Sequence, residues 1–323
     1  HKPVNLQTHS LHNEDHDLKN VILHLAMVLF HYCTKFFLLF YPGLSLDIFL
    51  QKNYRLVYGK NIYSKDGPFA GSPEQRANDI HTMFLDPSID AILCARGGYG
   101  ANKVLPLLNY ELIKKHPKIF IGYSDITAYL LSITQQTELV TFHGPMLTSY
   151  ENGDREYNYN QMINILSGNG DEQIIVPNQM QPNILKAGNA VGPLWGGNLT
   201  LIINRLGTSD VFDTKGTILF LEDLNEYFYS FERMLIHLKN AGVFDNISGL
   251  IIGELINIKD EKVPFSKSTD EIVMDICGKM DFPIITNFPC GHGKYQATFP
   301  ISIPVELQIG KTVSIKLLEP AVQ

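Results

Sequence analysis

The 323-residue chain is 45% hydrophobic and 18% charged, an ordinary globular composition with enough apolar mass for two domains or one large α/β unit. A net charge of −7 without a clustered basic stripe argues against nucleic acid as a main partner. Four scattered cysteines (Cys33, Cys94, Cys277, Cys290) with no CxxC pair, and no HExxH, offer neither a disulfide framework nor a metal site, so a cytoplasmic protein without metal or cofactor is expected.

Residues 20–43 form the most concentrated apolar stretch, interrupted by His24, His31 and Lys35. A membrane helix or an aberrant extension is one reading, while the basic start and small-residue cleavage site of a signal peptide are not clear. The other reading is the first packed element of an α/β domain, favoured because the strand that follows needs a neighbour. From Tyr54 the pattern becomes regular. "YRLVYG" reads as a strand, and "SPEQRANDIHTMFLD" as a helix opened by Ser72 with Pro73 at its first position. "IDAILCA" is a buried strand followed by the glycine turn "RGGYG", and "KIFIGYSDITAYLL" runs strand, sharp turn, helix before a further strand at "LVTF". This alternation predicts a parallel sheet with helices on both faces.

The polar stretch 168–187 is the expected linker between an N-terminal α/β domain (1–167, its first ~50 residues atypical) and a C-terminal domain (188–323). In the latter, "GPLWGGNLTLIINRLG" reads as a glycine turn into a short helix and "GTILFLED" as a strand. "SFERMLIHLKNAG" is a helix ended by Gly242, and "ISGLIIGEL" and "PIITNFP" are strands on either side of the helix "STDEIVMDICGKM". The tail alternates around Gly310 as an antiparallel hairpin would.

Several strand ends carry chemistry. Ser124 sits on the turn between a β-branched run and a helix, where a nucleophile would be exposed, although Ser124 or Asp125 could equally serve as a helix N-cap. The hydrolase pattern Gly-x-Ser-x-Gly is only half present, with Ile126 in its fifth position. The "RGGYG" turn also invites a dinucleotide reading with Asp125 as the ribose acid, but Lys103 replaces the last glycine of that fingerprint. Glu222 and Asp223 end an apolar strand, and His292 lies between Gly291 and Gly293, uncrowded as a general base requires. Cys290 offers a thiol alternative, yet its apolar setting, like that of Cys94, suits an inert buried residue. Ser124, Glu222 and His292 thus recur at equivalent positions, the constituents of a hydrolytic triad.

The segments from "ILCARGGYGANK" through "FIGYSDITAYLL", then "VTFHGPM", "LWGGNL", "LFLED", "FERMLIHLKNAGVFD", "GLIIGE" and "GHG", together resemble the LD-carboxypeptidase family of serine peptidases. The family includes muramoyl-tetrapeptide carboxypeptidases and microcin-immunity peptidases. The resemblance implies an α/β fold of two domains, an N-terminal parallel-sheet domain with the nucleophile turn and a C-terminal α/β domain with a terminal β-hairpin. It places the nucleophile on Ser124, the acid on Glu222 and the base on His292. The backbone amide of Asp125 is the implied oxyanion donor, with Gly97 or Gly98 as the second. The implied partner is a small peptide, a murein tetrapeptide losing its terminal D-alanine in peptidoglycan recycling, and the implied assembly is a homodimer. Trp195 and the "AGVFD" segment are similar to the microcin-immunity branch, which acts on a peptidyl-nucleotide amide. A non-catalytic binding module using the same cleft is the rival from another class.

Overall fold

The computed structural model describes residues 24–29 (backbone only), 49, 51, 52, 54–170, 172–210 and 212–322. Five strands run parallel in the N-terminal half: β1 (His24–Leu29), β2 (Arg55–Tyr58), β3 (Ala91–Arg96), β4 (Ile119–Gly122) and β5 (Phe142–His143). The C-terminal half contributes β6 (Gln173–Ile174), β7 (Asn183–Lys186), β8 (Gly188–Asn198), β9 (Ile218–Leu224), β10 (Gly249–Ile256) and β11 (Ile284–Phe288). The last three are β12 (Phe299–Pro300), β13 (Pro304–Ile309) and β14 (Val313–Leu317). The first sheet has the order β12-β5-β4-β3-β1-β2, whose parallel part is a doubly wound arrangement with ligand-facing loops at the carboxyl ends of its strands. The second has the order β6-β14-β13-β8-β9-β10-β11-β7 and is parallel from β8 to β11.

Strands β3, β4 and β9 are buried along nearly their whole length, which is why they read as continuous apolar runs rather than as alternations. One contiguous apolar core joins both sheets. In line with the packing alternative for the N-terminus, His24–Leu29 is a strand between β3 and β2. The rest of residues 20–43 lies outside the described residues, and no described helix is long and apolar enough to cross a membrane.

The helix Pro73–Leu85 starts as expected, with Ser72 and Gln75 forming a reciprocal capping box. The β13–β14 hairpin likewise follows the alternating pattern of its sequence. The segment 168–187, expected as a linker, supplies β6 and β7, which pair with β14 and β11 at the two edges of the second sheet. Two expectations are corrected. Of the predicted "LVTF" strand only Phe142 lies in β5, which continues to His143, and β12, from the far end of the sequence, pairs antiparallel beside it. The glycines of "GPLWGGN" are not in a turn but inside the 11-residue strand β8.

Close approach explains those glycines. A Cβ on Gly196 would lie 1.8 Å from the Phe220 carbonyl oxygen of the neighbouring strand, and one on Gly197 would lie 2.6 Å from the Thr127 methyl group. Gly196→Ala is therefore expected to cost about 3 kcal/mol or more, because the obstacle is backbone that cannot swing away. Urea unfolding monitored by circular dichroism checks this, and an unchanged midpoint would contradict it.

Candidate active site

The turn after β4 is sharp because Ser124 adopts φ +64°, a left-handed conformation unusual for a residue with a side chain. A one-turn 3₁₀ segment (Ser124–Ile126) follows and runs directly into the helix Thr127–Thr137. Neither start carries a side-chain cap, so the capping role weighed for Ser124 and Asp125 is not served on their own helix. Asp125, 3% exposed, instead reaches across to accept from the Ala101 amide at 2.9 Å, capping the helix that follows the glycine turn. Burial raises its carboxyl above the usual range, against that hydrogen bond and the nearby Arg76 charge.

This tie brings the "RGGYG" turn onto the serine. A Cβ on Gly97 would lie 2.7 Å from Ser124 Cβ and 2.9 Å from its Oγ, so only glycine allows the approach. Gly98, at φ +116°, supplies the bend. The dinucleotide reading loses its acid, since Asp125 is buried and engaged with a backbone amide.

The second sheet supplies the acid and the imidazole. Glu222 near the end of β9 is fully buried, and its Oε2 lies 2.7 Å from His292 Nδ1. Burial alone would raise the Glu222 carboxyl, but the His292 charge and the proximity of His143 outweigh it and hold it at about 2. An ionised carboxylate only accepts, so Nδ1 carries the proton and donates, leaving Nε2 free to act as a base. Burial lowers the His292 pKa and Glu222 raises it, with a net upward shift. A Cβ on Gly291 would lie 2.5 Å from Glu222 Oε2, so the glycine before the histidine makes room for this contact.

Asp223, next to Glu222, has a different task. It accepts from Asn198 Nδ2 and from Thr200 N and Oγ1 at 2.9–3.0 Å, holding the start of the helix Leu199–Arg205. Asn198 N in turn donates to Thr127 Oγ1 at 3.0 Å, coupling β8 to the helix behind Ser124. Of the two adjacent acids, the structure therefore pairs Glu222 alone with the histidine.

His292 and the serine turn meet at Tyr123, whose ring packs edge-on against the imidazole at 4.8 Å between centroids. Gln296 Nε2 donates to the Tyr123 hydroxyl at 3.2 Å and to the Gly293 carbonyl at 3.4 Å, joining the histidine loop to the residue before Ser124. Among the described residues Ser124 and His292 are not hydrogen-bonded to each other, an open geometry of the kind that closes when substrate arrives.

Two groups escaped the sequence reading. His143 is fully enclosed, with Nε2 3.8 Å from Glu222 Oε1 and its ring edge-on to Phe220, so the buried acid lies between two imidazoles. Its only sequence signal was the histidine of "VTFHGPM" after a short strand. Glu254, at the end of β10, is half-buried against Gly293, and burial pushes its carboxyl up to about 7. The thiol alternative fails on environment: Cys94 and Cys290 are fully buried, and burial raises both thiols far above the reactive range.

Both halves of the chain match known proteins. The sequence profile of the LD-carboxypeptidase N-terminal domain matches residues 45–144, and that of the C-terminal domain matches residues 191–307. A probable murein peptide carboxypeptidase of Bacillus subtilis (strain 168) is 33% identical over 283 residues, covering 86% of this chain and 85% of the relative. The microcin C7 self-immunity protein MccF of Escherichia coli is 29% identical over 301 residues, covering 84% and 86%. Among solved structures, a muramoyltetrapeptide carboxypeptidase from Oxalobacter formigenes superposes with a TM-score of 0.78 at 24% identity, covering 91% of this chain and 97% of the other. Two sheets in this order, with matches to both halves of one peptidase, lead to one assignment: the chain belongs to the LD-carboxypeptidase family of serine peptidases and is a hydrolase.

Proposed function

We propose that the protein is a cytoplasmic serine carboxypeptidase that releases the terminal D-alanine from murein tetrapeptides during cell-wall recycling. The observation that carries this reading is the 2.7 Å contact between Glu222 and His292, beside a serine held in a strained, half-buried turn. In the proposed reaction Ser124 Oγ attacks the carbonyl on the L-configured side of the scissile bond and gives its proton to His292 Nε2. The C–N bond then breaks as the imidazolium returns that proton to the departing amine. Water, deprotonated by the same imidazole, hydrolyses the resulting ester and restores the serine. Glu222 keeps Nδ1 protonated throughout and stabilises the transient imidazolium. The backbone amide of Asp125, with that of Gly97 or Gly98, is the proposed cradle for the developing oxyanion.

Incubation of the purified protein with a murein tetrapeptide, followed by chromatographic detection of free D-alanine, tests the reading. Stoichiometric D-alanine and tripeptide are expected. Hydrolysis of a peptidyl-nucleotide amide with no action on the tetrapeptide would favour instead the second reading, motivated by the similarity to MccF. No hydrolysis of either substrate would leave a non-catalytic binding module.

A further inference from the structure

A carboxypeptidase must recognise a chain end as well as cut beside it. When one residue is released, the terminal carboxylate lies about one residue length, roughly 3.8 Å, beyond the attacked carbon. A cation close to the nucleophile but outside the Glu222–His292 pair would be its strongest partner. The cations around the strand ends are mostly engaged. Arg76 is buried and donates to the Gly100 carbonyl. Lys103 lies over the Phe69 ring, Lys52 over Tyr159, and Lys294 over Tyr295 and near Asp154. Arg205 is bound to Asp210.

Arg96 differs from all of these. It is the last residue of β3, half-buried, and among the described residues its guanidinium has neither an acidic partner nor a hydrogen-bonded acceptor. The next residue, Gly97, is the one pressed against Ser124 Cβ and Oγ. Burial raises the Tyr123 phenol pKa and the Arg96 charge works in the opposite direction, on the same ring against which His292 packs. A half-buried guanidinium on the residue next to Gly97 offers a planar fork matched to a carboxylate.

We propose that Arg96 is the specificity-determining residue that binds the terminal carboxylate of the substrate. This rests on the reading of Ser124 as the nucleophile of a carboxypeptidase. The ligand class is a peptide ending in a free α-carboxylate, and the same peptide capped as a carboxamide forfeits the ion pair.

The test measures kcat/KM of the full chain on an L,D-tetrapeptide and on its C-terminal carboxamide. The wild type is expected to prefer the free acid by on the order of 100-fold, the usual consequence of removing one partner of a desolvated charge pair. Arg96→Gln should lower the free-acid value on the order of 100-fold, chiefly through KM, so that the preference collapses towards unity; Arg96→Lys should retain part of it. In the wild type, free D-alanine should inhibit competitively and D-alaninamide should not, a measurement independent of how any variant folds. Equal loss on both substrates in Arg96→Gln, a preference that survives the substitution, or equal inhibition by the two amines would overturn the proposal. Turnover that persists in Ser124→Ala would instead overturn the catalytic reading, a result distinct from any of these.

Discussion

Ser124→Ala is expected to lower kcat by about ten-thousand-fold or more while leaving the fold and the melting midpoint essentially in place. The loss is large because the proposed mechanism has no second nucleophile: the three described cysteines are buried, and burial raises their thiols. The fold should survive because Ser124 Oγ makes no hydrogen bond among the described residues. Alanine also carries the same Cβ at φ +64°, so the strain of the turn is unchanged. Steady-state release of D-alanine, read beside a thermal melt, separates the two effects. A variant within tenfold of wild type would remove Ser124 from the mechanism.

Glu222→Gln should be nearly as costly in rate, by about a thousand- to ten-thousand-fold in kcat, and should carry a pH signature that a packing defect would not. In the wild type the carboxylate accepts from Nδ1 and its charge raises the His292 pKa. The acid limb of kcat/KM is therefore expected above the ordinary histidine value near 6.5, with activity lost as pH falls and the imidazole protonates. A glutamine is uncharged and can turn its amide group towards Nδ1, which selects the wrong tautomer. Burial then lowers the His292 pKa against Asp223 alone, without the two larger Glu222 effects, and the residual activity should show its acid limb at lower pH than the wild type.

Stability follows the same linkage. The folded pKa of Glu222, about 2, is depressed below its ordinary value of 4.5. Its contribution is present above that ordinary value and is lost as pH falls towards 2. His292 has a raised folded pKa, so its contribution is present below about 6.5 and disappears as pH rises through the folded value. Urea titrations across the acid range should show the first dependence in wild type and its absence in Glu222→Gln. An unshifted rate profile and an unchanged acid dependence would together contradict the pairing.

Local signals along the chain determined a great deal. The apolar runs of β3, β4 and β9, the Ser72–Pro73 helix start and the alternation around Gly310 made the α/β class legible, because each rests on interactions between near neighbours. The positions of Ser124, Glu222 and His292 at strand ends were legible for the same reason: apolar strands stop where polar chemistry begins. The glycines around His292 were legible only as a tight turn that leaves the imidazole uncrowded; the approach of Glu222 behind Gly291 and Glu254 behind Gly293 came from the structure.

Only the tertiary structure decided which of two adjacent acids faces the histidine, since Glu222 and Asp223 are equivalent as sequence but point into different surroundings on successive positions of one strand. It also decided that "WGGN" continues a strand, because the reason for those glycines lies in Phe220 and Thr127, both distant in the chain. Pairing across long separations, such as β12 on β5, β6 on β14, or His143 beside Glu222, leaves no local mark, for it depends on contacts that exist only once both sheets have folded together.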